Sequence, residues 1–181
     1  MKKIVAELFI SLDGVVDAPQ TWHFPYYNDE MAEVVGSQIA DADTIVLGRR
    51  TYEEWASSWP NRGSEFVLAD KINSAPKLVA STSLVSVDWR NSTLIEGDVS
   101  EALRRLKGGP GGEVAVIGSG TLVQSLLRDG VLDELRLLVH PIVVGSGKRL
   151  FEDTLGRLPL KLVNSRTFKT GVLYLTYEPA S

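Results

Sequence analysis

Residues 44–51 read Thr44-Ile45-Val46-Leu47-Gly48-Arg49-Arg50-Thr51, an apolar run that ends in a glycine followed by two arginines. The apolar run predicts a buried strand, and the helix formers after Thr51 predict a helix that stops near Pro60. Where a strand feeds a helix, free backbone N–H groups and the helix dipole favour an anion, and glycine lets a ligand approach closely. The guanidinium groups of Arg49 and Arg50 can add charge-assisted bonds to phosphate oxygens. The stretch is therefore either a phosphate-binding turn or a helix start with solvated arginines.

A second turn of the same kind follows a strand predicted at residues 113–117. There Gly118-Ser119-Gly120 leads into a helix predicted at residues 122–127, which Gly130 ends. Ligands of open α/β sheets lie outside the carboxyl ends of the strands, so two such turns in one small sheet suit a ligand with several phosphates. The pair favours the phosphate interpretation, and a dinucleotide is the natural candidate.

The rest of the chain continues this alternation and then becomes rich in strands. Lys169-Thr170-Gly171 predicts a hairpin turn between the last two strands. Alternating units followed by a hairpin predict an α/β fold, with a mixed, mostly parallel sheet flanked by helices in one domain over residues 1–181. Further strands are predicted at residues 4–10, 77–81, 135–144, 160–167 and 172–177, and further helices at 29–39 after Asn28, at 66–72, and at 101–106 after Ser100.

The composition excludes several classes of function. The net charge of -4 provides no basic field for a nucleic-acid backbone. The chain has no cysteine, and its two histidines, His23 and His140, do not supply the ligands of a transition-metal centre. No apolar stretch approaches the roughly 18 residues of a membrane span. We therefore expect a cytoplasmic protein with a small-molecule substrate, no metal, and neither nucleic acid nor membrane as a partner.

Two familiar phosphate motifs do not fit this chain. Residues 118–123 have two glycines of the Rossmann fingerprint, but Val123 stands where the third belongs. Residues 145–149, Gly-Ser-Gly-Lys-Arg, resemble the end of a P-loop, but Arg149 replaces the Ser or Thr and Ile142 stands where the first glycine belongs. The sequence therefore predicts neither a Rossmann domain nor a nucleoside triphosphatase.

Several short motifs occur in an order that covers nearly the whole chain. They are Ser11-Leu12-Asp13-Gly14, Asp43 to Gly48, Arg50-Thr51-Tyr52, Lys77 to Ser81, Val116 to Gly120, Val131 to Leu135, and Pro141 to Gly147. In this order the chain resembles the dihydrofolate-reductase-like family. Within that family it is most similar to the reductase domain of the bifunctional riboflavin-biosynthesis deaminase-reductase and its stand-alone relatives.

The resemblance implies the three-layer dihydrofolate-reductase-like fold, with NADPH bound across the carboxyl edge of the sheet. Val16 and Asp17 would approach the nicotinamide. NADPH is favoured over NADH because its additional phosphate needs local positive charge in a chain that is negative overall. The other cofactor residues implied are Gly48, Arg49, Arg50 and Thr51 at the 2′-phosphate and pyrophosphate, Ser81 and Thr82 at the adenosine ribose, and Gly118, Ser119, Gly120, Thr121 and Leu122 at the remaining pyrophosphate.

The substrate side is predicted to involve the segment after the first strand. Asp13 is the candidate catalytic acid, and an equally weighted alternative is a turn aspartate that bonds its own backbone before Gly14. Asp17, Trp22 and His23 would bind the substrate, although this aromatic loop is as readily explained by packing of its own rings. His140, inside an apolar strand before a proline, is interpreted as structural.

The resemblance implies an NADPH-dependent oxidoreductase that acts on a pyrimidine- or pteridine-type ring. The specific hypothesis is reduction of 5-amino-6-(5-phosphoribosylamino)uracil in riboflavin biosynthesis. The zinc-deaminase motifs of the bifunctional enzyme are absent from the chain. The alternatives are a dihydrofolate reductase-like or other NADPH reductase, and a non-catalytic nucleotide-binding module. The long apolar stretch 135–144, interpreted as an edge that a second copy covers, predicts a homodimer.

Overall fold

The computed structural model describes residues 1–63 and 65–180. Its strands are β1 (Lys3–Ser11), β2 (Ala42–Gly48), β3 (Lys77–Ala80), β4 (Ser92–Leu94), β5 (Glu113–Gly118), β6 (Glu134–His140), β7 (Leu160–Thr167) and β8 (Leu173–Pro179). Its helices are α1 (Asp29–Asp41), α2 (Arg49–Ser58), α3 (Ala69–Ser74), α4 (Val99–Lys107) and α5 (Gly120–Arg128). Short 3-10 turns are formed by Pro19–Thr21, Phe24–Tyr26, Trp59–Asn61 and Asp153–Leu155.

All the strands belong to one sheet, in the order β4-β3-β2-β5-β1-β6-β8-β7. The strands from β4 to β6 in this order run parallel to one another. Strand β8 pairs antiparallel with β6, and β7 pairs antiparallel with β8. The prediction of a mixed, mostly parallel sheet with a C-terminal antiparallel hairpin is therefore confirmed.

Helices cover both faces of the sheet and create three layers. On one face, Leu103 of α4 and Leu126 of α5 pack with Ile4 of β1 in the larger core cluster. On the other face, Tyr52 of α2 and Ile72 of α3 pack with the strands. Ile39 of α1 belongs to the cluster on this second face, and Met31 of the same helix packs near Leu138 of β6 and Tyr174 of β8. Apolar burial of this kind stabilises the fold by about 1.5–3 kcal/mol for each large side chain.

The helix starts show which polar side chains act as caps. The Asn28 side chain accepts a 3.1 Å hydrogen bond from the Met31 N–H, which confirms the predicted cap of α1. The predicted cap of α4, Ser100, is wrong, because the Asp98 carboxylate accepts from the Glu101 N–H. Ser100 lies inside the first turn, where its buried hydroxyl donates to Asp129 at 2.6 Å. An aspartate two residues earlier was available and took the capping position.

Several predicted boundaries shift, and one prediction about the sheet is wrong. Helix α2 already begins at Arg49, α3 begins at Ala69 rather than residue 66, and β4 was not predicted. Strand β6 ends at His140 because Pro141 has no N–H to donate. The stretch 135–144 is not an exposed edge, since β6 lies between β1 and β8. Burial on both faces explains the apolar character of β6 itself, whereas residues 141–144 follow the strand and Val143 is exposed. The actual edges of the sheet are β4 and β7.

Binding to a membrane or to a metal ion can be examined in the described part of the chain. No helix there combines the length and the apolar character needed to cross a bilayer. No group of three or more His, Asp or Glu side chains among the same residues is arranged to hold a metal ion. The organisation of residues 1–181 as a single domain and the location in the cell stay predictions.

Candidate active site

The helices α2 and α5 begin at neighbouring strand ends. Strands β2 and β5 pair side by side, with Leu47 opposite Gly118. The two helices then pack on opposite faces of the sheet, so a crevice opens between them, where open α/β sheets bind ligands. Neither N-cap residue, Gly48 or Ser119, supplies a side-chain hydrogen bond. The first N–H groups of both helices therefore remain available to a ligand.

The two turns touch each other, and this contact requires glycine at position 48. A Cβ atom there would lie 2.8 Å from the backbone nitrogen of Ser119 and 3.0 Å from its hydroxyl oxygen. Gly118 has a φ of 147° and joins Ser119 through a cis peptide bond. A Cβ on Gly118 would lie 3.2 Å from the Thr51 hydroxyl. The turns thus form one continuous surface rather than two separate anion sites.

A groove of about 1050 Å³ runs along this surface. Val16 contacts the start of α5 directly, because a Cβ on Gly120 would lie 2.7 Å from its methyl carbon. With the exception of Gly118, the residues predicted to hold the cofactor all line the groove, and their role stays a prediction. They are Val16, Asp17, Gly48, Arg49, Arg50, Thr51, Ser81, Thr82, Ser119, Gly120, Thr121 and Leu122.

The arginines of the groove are only weakly engaged. Arg50 lies 3.8 Å from the Asp17 carboxylate, and Arg49 lies 3.4 Å from Glu53 on the next turn of α2. All four side chains are substantially exposed, so each pair is worth about 1 kcal/mol or less. Both guanidinium groups can therefore exchange these partners for an anionic ligand.

Lys148 also lines the groove, although the sequence motifs do not identify it. Its carbonyl accepts a 2.9 Å hydrogen bond from the Val16 N–H, which fastens the segment around Lys148 to the segment around Val16. No carboxylate in the described residues lies within ion-pair distance of its ammonium group. The sequence feature that could have identified Lys148 is Gly145-Ser146-Gly147-Lys148. This stretch does not match a P-loop, but it places a lysine at the groove.

Asp13 is not among the residues that line the groove. Its carboxylate accepts hydrogen bonds from the Val144 and Gly145 N–H groups at 3.0 and 2.9 Å, and from the Ser11 hydroxyl at 2.6 Å. These bonds, led by the one from Ser11, lower the pKa of Asp13 to about 2. Such a carboxylate is ionised at neutral pH and a poor proton donor. The geometry therefore disfavours Asp13 as the catalytic acid and shows an anchor for the 144–145 loop instead.

A cluster of rings, which we call the aromatic box, lies beside the groove. The Trp22 indole N–H donates to the carbonyl oxygen of Asp17 at 3.1 Å and so connects the box to the groove wall. The predicted substrate residues Trp22 and His23 are both buried in it, whereas the Asp17 side chain is in the groove. The box consists of Phe9, Trp22, His23, Phe24, Tyr26 and His140.

The two histidines of the box lie with their ring centroids 6.2 Å apart. Burial lowers the pKa of both, with the neighbouring imidazole adding to the effect at His23. At His140, the nearby Leu138 and Ile10 carbonyls partly oppose this lowering of the pKa. Both rings are therefore neutral at pH 7. Among the described residues, the His23 Nδ1 and the His140 Nε2 are buried without a hydrogen-bond partner.

A buried carboxyl group, Glu7, projects from β1 on the same face of the sheet as Phe9. It is 7% exposed and accepts a 3.1 Å hydrogen bond from the Tyr174 hydroxyl. Burial raises its pKa to about 7, although the bond from Tyr174 and the charge of Arg136 oppose the shift. The sequence did not mark Glu7 as a candidate, because one acidic residue in an apolar strand does not reveal which face it occupies.

Comparisons with known proteins agree with this architecture. The sequence profile of the RibD C-terminal domain matches residues 2–174. The uncharacterized protein YyaP of Bacillus subtilis (strain 168) is 30% identical over 183 residues, which cover 98% of this chain and 95% of YyaP. Both matches extend over almost the whole chain.

Solved structures show the same fold at lower identity. A protein from Shewanella sp. PV-4, provisionally assigned to riboflavin biosynthesis, superposes with a TM-score of 0.79 at 20% identity over 99% of both chains. Dihydrofolate reductase from Enterococcus faecalis, in complex with NADP(H), superposes with a TM-score of 0.66 at 15% identity, over 99% of this chain and 97% of that one. The predicted dihydrofolate-reductase-like fold is therefore confirmed.

Proposed function

Because the chain belongs to the family of the RibD C-terminal domain, we propose that it is an NADPH-dependent reductase of a pyrimidine- or pteridine-type ring. The specific hypothesis is reduction of 5-amino-6-(5-phosphoribosylamino)uracil. The observation that carries the proposal is the convergence of two uncapped helix N-termini on one groove that also contains arginines. Family membership supports a reductase, and the groove supports a ligand with several phosphates.

The groove has the donors that a dinucleotide needs. The N–H groups at the starts of α2 and α5 would bind the pyrophosphate, and the glycine at position 48 leaves room for its close approach. Val16 and Asp17 would border the nicotinamide, whose chemistry when bound is the delivery of a hydride. Ser81 and Thr82 would contact the adenosine ribose.

Selectivity for NADPH is the first test of the groove. Arg50→Ala should weaken NADPH binding about 10-fold to 100-fold and NADH binding much less, since a charged hydrogen bond to the 2′-phosphate contributes about 1.5–3 kcal/mol. Titration calorimetry with both cofactors measures the ratio. Arg128→Ala, at the opposite end of α5, is the matched control and should leave both affinities unchanged. Equal losses for NADPH and NADH in Arg50→Ala would contradict the assignment.

Activity on folate is the weaker alternative. For a dihydrofolate reductase, the resemblance implies a buried carboxylate early on the helix that follows a Trp-x-x-Pro loop, which here is Trp22-His23-Phe24-Pro25. Of the two carboxylates in the first turn of α1, Asp29 is exposed, and Glu30 accepts a 2.8 Å bond from the Lys169 N–H and lies 3.5 Å from Arg166. The Glu30 carboxylate is therefore committed to β7 and the β7–β8 turn. This favours a substrate other than a pterin that needs such a carboxylate.

Turnover separates the three candidate functions. Oxidation of NADPH should be observed with 5-amino-6-(5-phosphoribosylamino)uracil and should be far slower with dihydrofolate. The reverse preference would support the folate alternative. Tight NADPH binding with no turnover of either compound would reject both specific substrates, and no turnover with any related pyrimidine or pteridine would favour the non-catalytic module.

We also propose that the protein is a homodimer. The proposal now rests on the edge strand β7, because β6 is a central strand. The edge strand β7 exposes Leu162 and Val163 at 49% and 43% of their surface. Exposed apolar edges invite pairing with another chain. Sedimentation at micromolar concentration should give a dimer that Leu162→Lys dissociates. A monomeric wild-type protein would refute the proposal.

A further inference from the structure

The His23 ring fills a slot that suits a flat heterocycle. Its centroid lies 4.7 Å from that of Phe9, with the planes 21° apart, and 4.2 Å from that of Phe24. The imidazole thus stacks on Phe9, and the Phe24 ring, tilted by 36°, is its second aromatic neighbour. Stacking of this kind contributes about 0.5–1.5 kcal/mol per pair and favours any planar ring of suitable size.

The polar atoms of the His23 ring are poorly satisfied in this slot. Its Nδ1 atom is buried there without a hydrogen-bond partner in the described part of the chain. A buried polar atom that is left unsatisfied costs about 1–3 kcal/mol. This penalty offsets part of the stacking energy. Replacement of the imidazole by a ring whose polar atoms are hydrogen-bonded would therefore cost little free energy.

A hydrogen-bond acceptor adjoins this slot. The His140 Nδ1 lies 2.8 Å from the Leu138 carbonyl oxygen, which can only accept, so Nδ1 carries the proton. In the neutral ring, Nε2 is then a bare acceptor, and it is buried without a donor. The Ile10 carbonyl also approaches the ring but makes no well-formed hydrogen bond to either nitrogen. A ligand with an N–H donor could therefore form a hydrogen bond to the Nε2 atom of His140.

The segment that carries His23 is fastened mainly to itself. Its backbone bonds are local, from Trp22 and His23 to the Pro19 carbonyl and from Tyr26 to the His23 carbonyl. Its outer side is open, since Phe24 and Tyr27 are 64% and 54% exposed. Outward movement of residues 23–27 would therefore break ring contacts but no strand pairing, and it need not break the bond from the Trp22 indole to the Asp17 carbonyl.

We propose that the aromatic box is the substrate-ring site, where a planar nitrogen heterocycle replaces the His23 imidazole against Phe9 and donates a ring N–H to the Nε2 of His140. This inference rests on the proposed reductase function, because the Asp17–Trp22 bond places the box at the wall of the cofactor groove. It changes the interpretation of His140 from a structural residue to a specificity-determining one. The substrate class is a ring with an N–H donor next to a flat face, as in an aminopyrimidine.

Nitrogen-15 NMR of the histidine rings tests this proposal directly. The chain has two histidines, so histidine-labelled protein gives two ring systems, and His23→Phe assigns them while preserving the stack. The protein is saturated with NADP⁺ and then titrated with 5,6-diaminouracil as the probe. We expect the His140 Nε2 resonance to shift as an acceptor that gains a hydrogen bond. The His23 resonances should shift as its ring leaves the two phenyl groups.

A second variant tests the displacement of His23. His23→Ala empties the slot and should bind 5,6-diaminouracil about 2-fold to 10-fold more tightly, because no stacked ring has to leave. Phe151→Ala, at an exposed aromatic residue of another loop, is the control and should bind like the wild type. Weaker binding by His23→Ala would contradict the displacement.

The outcomes separate this inference from the function on which it rests. Saturable probe binding with an unchanged His140 Nε2 would overturn the inference, as would no binding of the probe in the presence of bound NADP⁺. In both cases the cofactor groove would stand. Failure of NADP⁺ itself to bind would instead count against the proposed reductase.

Discussion

The cofactor groove and the aromatic box are neighbours, but they are built from different parts of the protein. The groove presents backbone N–H groups at the starts of α2 and α5, next to glycines that keep side chains out of the way. The box consists of side chains from β1, β6 and residues 22–26, and it contains two imidazole nitrogens without a hydrogen-bond partner among the described residues. The groove is an open cleft, whereas the inner rings of the box, Trp22, His23 and His140, are buried and its outer ring, Phe24, is exposed. The groove therefore depends on backbone geometry, and the box depends on side-chain packing.

The largest expected effect comes from a methyl group in the groove. Gly48→Ala would place a carbon 2.8 Å from the Ser119 nitrogen, so one of the two turns has to move. We expect a loss of about 2–3 kcal/mol in the free energy of unfolding, in the range of overpacked sites. NADPH affinity should fall by more than about 10-fold, since each charged hydrogen bond contributes over 1 kcal/mol. Urea denaturation and cofactor titration measure the two effects.

Gly36→Ala is the matched control for this substitution. Gly36 lies inside α1, and a Cβ there meets no atom within 4 Å. Alanine should stabilise the helix by about 0.5–1 kcal/mol and leave NADPH binding unchanged. If both alanines had the same effect, the contact between the two turns would not be what defines the groove.

A smaller effect is expected from Glu7, which lies on the box side of the sheet. Its pKa of about 7 exceeds its ordinary value of 4.5. Between these pH values the folded chain keeps a proton that the unfolded chain loses, so stability falls as the pH rises. Glu7→Gln, which resembles the protonated form, should equal the wild type near about pH 4.5. It should be more stable by about 2 kcal/mol at about pH 8.

Urea denaturation of both proteins across this pH range isolates Glu7. His23 and His140 have pKa values lowered by burial, and their effect on stability has the opposite sign below about pH 6.5. The difference between the two proteins cancels these contributions. Parallel stability curves would show that Glu7 ionises as freely in the fold as in the unfolded chain.

The contrast between groove and box also explains what the sequence could predict. The strand-glycine-helix stretches at Gly48 and Gly118 determine local backbone geometry, so the groove residues of these two turns follow from them, whereas Val16, Asp17, Ser81 and Thr82 were implied by the family resemblance. The role of His140 depends on packing against Phe9 and Trp22, which are far away in the chain. Periodicity shows that β6 is apolar, but an apolar run does not distinguish a central strand from an edge. The sheet order and the box therefore require the structure.

The smallest of these effects is expected at Asp13, which does not line the groove. Because its carboxylate accepts bonds from Ser11, Val144 and Gly145, Asp13→Asn should loosen the 144–149 segment and with it the position of Lys148. We expect NADPH binding to weaken by about 2-fold to 5-fold, because the substitution acts on the cofactor only through the position of Lys148 and removes no direct bond to it. The dependence of kcat on pH should keep its shape, because a group with a pKa of about 2 does not donate the proton at neutral pH. If the pH profile of kcat instead lost an ionisation, while NADPH binding stayed intact, Asp13 would be the catalytic acid and the anchor interpretation would be wrong.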